Sequence, residues 1–185
     1  MSPLEVPFTA TPLTAAEFLG ALRKVLPELP IGSLCVLMAQ SALETGRWKR
    51  CFNYNLAGIK SNTSVPHTYT KTREVLARSA AERYLRESKP ETPVVLVEDK
   101  GPKLVLSFAP KHPVCRFRAY DSLDEGMAAY VGLLRKRFAG AWPAVENGDP
   151  TLFAKRLSEL GYYTAPVEQY AASIRSLHAE YRKLG

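Results

Sequence analysis

The sequence predicts an α+β fold, mainly helical, in which a small β-rich segment separates two blocks of helix. Three observations carry this. Apolar residues recur at helical spacing on both sides of the middle of the chain. From Thr68 to Leu76 the pattern changes to period two, with Thr68, Thr70, Thr72 and Glu74 alternating with Tyr69, Lys71, Arg73 and Val75. Five of the 14 prolines lie between Pro90 and Pro113, where no long helix can run. A length of 185 residues suits one domain, or one domain carrying an insertion.

Residues 1–13, rich in Pro and Thr, read as an arm, and residues 14–185 as a single domain with its β lobe at about 65–116. Thr14 opens the first helix, with Glu17 three residues on to complete a capping box. Phe18, Leu19, Leu22, Val25 and Leu26 form its apolar stripe, and Pro27 stops it. Ser33 is expected to cap a second helix that is apolar nearly all round, hence central, and that ends at Glu44-Thr45-Gly46. A short helix over Ser79–Ser88 is expected to open with a Ser79/Glu82 box. Val94–Glu98 and Leu104–Phe108 read as strands flanking the turn Asp99-Lys100-Gly101-Pro102. Ser122 and Glu125 form a third box ahead of Leu123, Met127, Tyr130, Val131 and Leu134. Asp149-Pro150 starts a helix through Leu152, Phe153, Leu157 and Leu160 that stops at Gly161. The last helix carries Val167, Tyr170, Ile174, Leu177 and Tyr181 on one stripe.

Composition narrows the function. With 46% hydrophobic and 23% charged residues the chain is globular rather than disordered. A net charge of +7 suits anionic partners: nucleic acid, acidic membranes or the polyanionic bacterial envelope. The longest uncharged stretch, between Glu28 and Glu44, contains Pro30, Gly32, Ser33, Gln40 and Ser41 and cannot span a membrane. Glu5 and Glu17 precede the first basic residue, Arg23, so no signal-peptide pattern is present. The expectation is synthesis in the cytoplasm, with delivery by another system if the protein works outside. Cys35, Cys51 and Cys115 form no C-x-x-C; Cys35 reads as a core residue, and a Cys51–Cys115 bridge is left open. His67, His112 and His178 are scattered, so neither a metal nor any other cofactor is expected.

Glu44 is the prime chemical candidate. It closes an apolar helix, with only Gln40 and Ser41 polar one turn back. Desolvation and the negative end of the helix dipole both raise a carboxyl pKa there. A carboxylic acid that stays protonated is what glycoside cleavage needs for its leaving oxygen.

The text around Glu44 is specific. Ala39-Gln40-Ser41-Ala42-Leu43-Glu44-Thr45-Gly46, then Asn53-Tyr54-Asn55-Leu56-Ala57-Gly58-Ile59-Lys60, resembles the glucosaminidases of glycoside hydrolase family 73, peptidoglycan hydrolases that include the flagellar rod-cap muralytic domain. The family pattern is A-x-x-A-L-E-S/T-G followed by N-N-L-F-G-I-K. Phe117-Arg118-Ala119-Tyr120-Asp121-Ser122 is similar to the family's F-R-x-Y-x-S, and Gly161-Tyr162-Tyr163-Thr164-Ala165-Pro166 with Tyr170-Ala171 to G-Y-A-T-D-P followed by Y-A. Each block is weak alone; four in order, from roughly Leu13 to Leu177, are not.

The resemblance implies a lysozyme-like fold, a helical lobe and a β lobe with a sugar-binding groove between them. It implies Glu44 as general acid, Glu74 (in Thr72-Arg73-Glu74, where relatives carry T-x-E) as a second acidic residue, and Tyr162 close to the acid. Gln40, Tyr54, Asn55, Tyr120 and Tyr163 are the candidate substrate-binding residues. Tyr54, Ala57, Tyr163 and Ala165 depart from the family pattern, and Ala77–His112 is longer than the usual β lobe. The implied partner is a peptidoglycan glycan strand, cleaved after N-acetylglucosamine or, as a muramidase, after N-acetylmuramic acid. The implied place of action is the cell wall or periplasm; a phage lysin, the cargo of a secretion or injection apparatus, and the excised domain of a larger exported protein all fit this sequence. A rival reading takes Arg47, Trp48, Lys49, Arg50 and Phe52, or Arg135-Lys136-Arg137-Phe138, as a nucleic-acid surface; it is the less favoured one.

Overall fold

The structure, a computed structural model, describes residues 4–184; Met1, Ser2 and Pro3 of the N-terminal arm lie outside the described residues, as does Gly185. Among these residues run α1 (Ala15–Val25), α2 (Ile31–Thr45), β1 (His67–Tyr69), β2 (Thr72–Ala77), α3 (Arg78–Arg86), β3 (Val94–Asp99), β4 (Lys103–Phe108), β5 (Arg116–Arg118), α4 (Leu123–Arg137), α5 (Trp142–Glu146), α6 (Pro150–Glu159) and α7 (Val167–Tyr181). The class is α+β, mainly α, as the sequence predicts. The chain divides into two compact units: Met1–Phe8 with Ile59–Ala119, and Thr9–Gly58 with Tyr120–Gly185.

The helical unit is built around α2. Its residues from Gly32 to Ala42 are all buried, because almost every position is apolar and neighbours cover it on several sides. It packs against α7, α1 and α5. Phe18 stacks on Trp48 with ring centroids 4.7 Å apart, and Trp48 meets Tyr181 at 5.4 Å. The Thr14 box forms in full: Glu17 N donates to Thr14 Oγ1 at 3.2 Å, and Thr14 N donates to Glu17 Oε2 at 2.8 Å. Asp149 caps α6 by accepting from Thr151 N and Leu152 N.

Other starts differ from expectation. Pro30, not Ser33, precedes α2, and no side chain caps it. The Ser33 hydroxyl is instead committed to the Glu146 carbonyl at 2.9 Å. The Ser122 box is half formed: Ser122 Oγ accepts from Glu125 N, while the Glu125 carboxylate accepts from Asp121 N.

The β unit holds two antiparallel sheets, β1–β5 and β2–β4–β3. Strand β2 exposes every other residue, as its period-two sequence requires. In the three-stranded sheet Leu104, Leu106 and Phe108 of β4 bury one face with Ala81 of α3, Val94 and Cys115. Tyr84 of α3 meets Phe108 edge-on at 5.2 Å. The Ser79/Glu82 box does not form, because β2 runs straight into α3 and leaves no free capping position; Glu82 pairs with Arg78 at 3.7 Å instead. The backbone of the N-terminal segment is hydrogen-bonded: Val6 N to His67 O and His67 N to Leu4 O, each at 2.9 Å. Farther on, in the helical unit, Thr11 N donates to Cys51 O at 3.0 Å. All three cysteines are buried free thiols, so the Cys51–Cys115 bridge left open above is not formed.

Candidate active site

Glu44 occupies the penultimate position of α2, and the chain leaves the helix there by an unusual route. Gly46, Arg47 and Trp48 take φ of 59°, 58° and 59°, three left-handed residues in succession. Only the glycine does so without strain, so the two residues after it must be held by their contacts. Trp48 supplies them: it is 1% exposed, its backbone N donates to Thr45 Oγ1, and its indole Nε1 donates to Ser41 Oγ at 3.0 Å. Ser41 in turn donates to the Leu56 carbonyl at 2.7 Å. The turn that carries the acid is thereby locked to the helix behind it and to the Asn55-Leu56 segment ahead.

The carboxyl of Glu44 lies in a cleft of about 430 Å³, shared with Leu43, Tyr163, Thr164, Gln169, Tyr170 and Ser173. Tyr170 Oη donates to Glu44 Oε1 at 3.0 Å, and Gln40 Nε2 approaches the same oxygen at 3.4 Å. Neither partner is charged. The Glu44 side chain is open to water on one side of the cleft, while packed protein crowds its carboxyl on the other. Desolvation dominates and holds the Glu44 pKa above the usual carboxylate range, while the bonds from Tyr170 and Gln40 oppose it. Both bonds converge on Oε1, so Oε2 is the oxygen that can carry a transferable proton.

A chain of hydrogen bonds backs this carboxyl. Tyr130 Oη donates to Gln40 Oε1 at 2.6 Å, and Gln40 Nε2 donates to Tyr162 Oη at 2.6 Å. Gln40 and Tyr130 are completely buried, so neither meets solvent. Burial, and then the Glu44 charge, push the phenols of Tyr162 and Tyr170 far above the ordinary tyrosine value. Both stay neutral donors. Tyr163 stacks on Tyr170, rings 3.7 Å apart and inclined by 14°, and its hydroxyl is tied to the Ala154 carbonyl.

The structure therefore brings Gln40, Glu44, Tyr162 and Tyr163 together. Gln40 reaches a ligand only through Glu44 and Tyr162. Tyr54, Asn55 and Tyr120 belong to the same helical unit; Asn55 and Tyr120 are buried, and Tyr54 is half-buried in a left-handed conformation at φ 50°. Glu74 lies on β2 of the other unit, in an ion pair of 3.3 Å with Lys60. Of the aromatic rings that the sequence interleaves with basic residues, Trp48 and Phe138 are buried and unavailable to stack on bases, while Phe52 is half-buried. Among the described residues no group of three His, Cys, Asp or Glu is placed to hold a metal.

Sequence reasoning assigned no role to Tyr170 or Tyr130. Tyr170 lies in the Tyr170-Ala171 pair, and its spacing marks it as an apolar stripe residue, which it also is. Tyr130 carries the same stripe signature, and a stripe position does not reveal where a hydroxyl ends.

The family model of the glucosaminidases, described as mannosyl-glycoprotein endo-beta-N-acetylglucosaminidase, matches residues 23–183. The chain belongs to the glucosaminidase family. Membership supports glycoside hydrolysis of a glycan substrate, and the matched span contains every residue of the Glu44 cluster. No curated protein and no solved structure matches the chain.

Proposed function

We propose that this glucosaminidase-family protein cleaves β-1,4 bonds of the peptidoglycan glycan strand, as an N-acetylglucosaminidase, with Glu44 as general acid. The observation that supports it is a carboxyl in an open cleft, held toward its protonated form by burial and touched only by neutral donors. Glu44 Oε2 gives its proton to the bridging oxygen as the glycosidic bond breaks, and positive charge develops on the sugar ring. Tyr170 and Gln40 then receive the new carboxylate on Oε1 with bonds already in place, so little reorganisation accompanies the charge change. Water, or first the substrate's own acetamido group, completes the displacement. Glu74 stands as the candidate second carboxylate.

Digestion of purified peptidoglycan, followed by reduction and mass analysis, tests this reading. Fragments with reduced N-acetylglucosamine ends are expected; reduced N-acetylmuramic acid ends would make the protein a muramidase. Glu44→Gln is expected to lower turnover by about 10²–10⁴-fold, the usual worth of a positioned acid. Retained activity would remove Glu44 from the mechanism. Wild-type turnover in Glu74→Gln would leave that residue as the surface partner of Lys60.

A further inference from the structure

A second cleft, of about 670 Å³, opens where the left-handed turn after α2 faces α7. Leu43 and Ser173 line both clefts, so the second adjoins the one that holds Glu44. Its character is different. Arg47, Lys49 and Arg50 contribute three cations, and Ser173 and Ser176 contribute hydroxyls. Arg47 is neutralised by an ion pair with Glu180. Among the described residues neither Lys49 nor Arg50 forms a salt bridge, and both are exposed. Gly46 gives Arg50 its place: a Cβ at position 46 would lie 2.8 Å from Arg50 Nε, so the missing side chain lets the guanidinium cross the turn.

We propose that this basic cleft is a subsite for the carboxylates of the stem peptides that branch from the glycan strand. The inference rests on the peptidoglycan reading of the neighbouring cleft. In such a strand every second sugar carries a peptide through a lactyl ether, so a glycan lying against Glu44 sends a carboxylate-bearing branch out within one sugar of the scissile bond. A guanidinium fork receives a carboxylate with two parallel hydrogen bonds, and an adjacent ammonium adds a point charge. Arg50 and Lys49 supply this pair of groups in the cleft that adjoins the acid. The cations also favour the C-terminal end of α2 electrostatically. That effect stabilises the fold and is blind to the ligand, which makes the two roles separable.

The test is binding, measured with Glu44→Gln protein so that no cleavage is needed. Two soluble probes are compared: peptidoglycan fragments that keep their stem peptides, and the same glycan stripped of stems by an amidase, with the lactyl carboxylates so exposed capped as methyl amides. Substituting both Lys49→Ala and Arg50→Ala is expected to weaken binding of the stem-bearing fragment about five- to tenfold, the range of two partly exposed charge contacts, and to leave the stripped glycan unaffected. Arg50→Lys keeps the charge without the fork and should fall between. Equal loss on both probes, or no loss on either, overturns the proposal. A third arm adds wall phosphate polymer; a loss confined to that arm assigns the cleft to phosphate and also overturns the stem assignment. Failure of the underlying reading shows separately, as wild-type protein that releases no fragments from intact wall.

Discussion

At Glu44 the fold sets two demands against each other. A carboxyl whose pKa is raised by folding binds its proton more tightly in the native state than in the unfolded chain. Its contribution is therefore most favourable below the ordinary carboxylate pKa, and stability is lost as pH rises through the raised native value. Glu44→Gln should raise the melting temperature at neutral pH, with the gain shrinking toward about pH 3, where wild-type Glu44 is protonated in both states. Thermal unfolding at the two pH values checks this, and a variant no more stable at neutral pH would mean that water solvates the carboxylate adequately. Tyr170→Phe probes the same carboxyl from its partner. It keeps the stacking on Tyr163 but removes a bond that lowers the Glu44 pKa. The alkaline limb of the pH–rate profile should move to higher pH, while kcat falls because the newly formed carboxylate loses a donor. An unmoved limb would show that Tyr170 acts in packing alone. The place of Glu44 at the end of an apolar helix was legible in the sequence, because a lone acid closing such a helix is a local pattern. Of its hydrogen-bond partners, Gln40 stands one turn back, but Tyr170 comes from 126 positions away, and Tyr130 and Tyr162, which bond Gln40, lie 90 and 122 positions from it; local spacing carries no such information.

At the scale of elements, what the sequence revealed depended on whether the cause was local. The Thr14 and Asp149 caps form as expected, since a cap is settled within four residues. Ser33 and Ser79 carry the same signature and fail as caps, one drawn away by the Glu146 carbonyl, the other preceded directly by a strand. The two left-handed residues after Gly46 were not legible, because they are enforced by a buried tryptophan rather than favoured by their own chemistry. One contact between elements deserves a test. Gly126, in the first turn of α4, faces the 53–54 turn so closely that a Cβ would stand 2.2 Å from the Tyr54 carbonyl oxygen. No rotamer relieves a clash with backbone. Gly126→Ala should therefore cost about 1–3 kcal/mol even though alanine is the better helix former, and should displace Tyr54. Urea unfolding together with chemical-shift changes at Asn53–Asn55 measures both effects; a stabilised variant would show that the turn yields freely.

For the molecule as a whole, the α+β class and the order helix, β segment, helix were readable because period 3.6, period 2 and clustered prolines are properties of the chain alone. The two units also differ in how much they bury, and this predicts their dynamics. The helical unit surrounds α2, whose central positions are all inaccessible. In the three-stranded sheet the central strand β4 is buried from Leu104 to Phe108, while its edge strand β3 leaves Val95, Leu96 and Val97 exposed at 56%, 44% and 44%. An edge strand with one protected residue, Val94, and a register irregularity between Leu96 and Glu98 has little to hold its amides closed. Native-state hydrogen exchange should place the α2 amides among the slowest in the protein, opening only with global unfolding. The amides of β3 that pair with β4 should exchange at least about tenfold faster, through an opening that leaves α2 closed. Added denaturant then separates the two: exchange in α2 should accelerate with the full slope of global unfolding, and exchange in β3 with a smaller one. Equal rates and equal slopes would instead mean that the β2–β4–β3 sheet opens only with the whole protein, and that its exposed valines and leucine are covered by cooperativity rather than by contacts of their own.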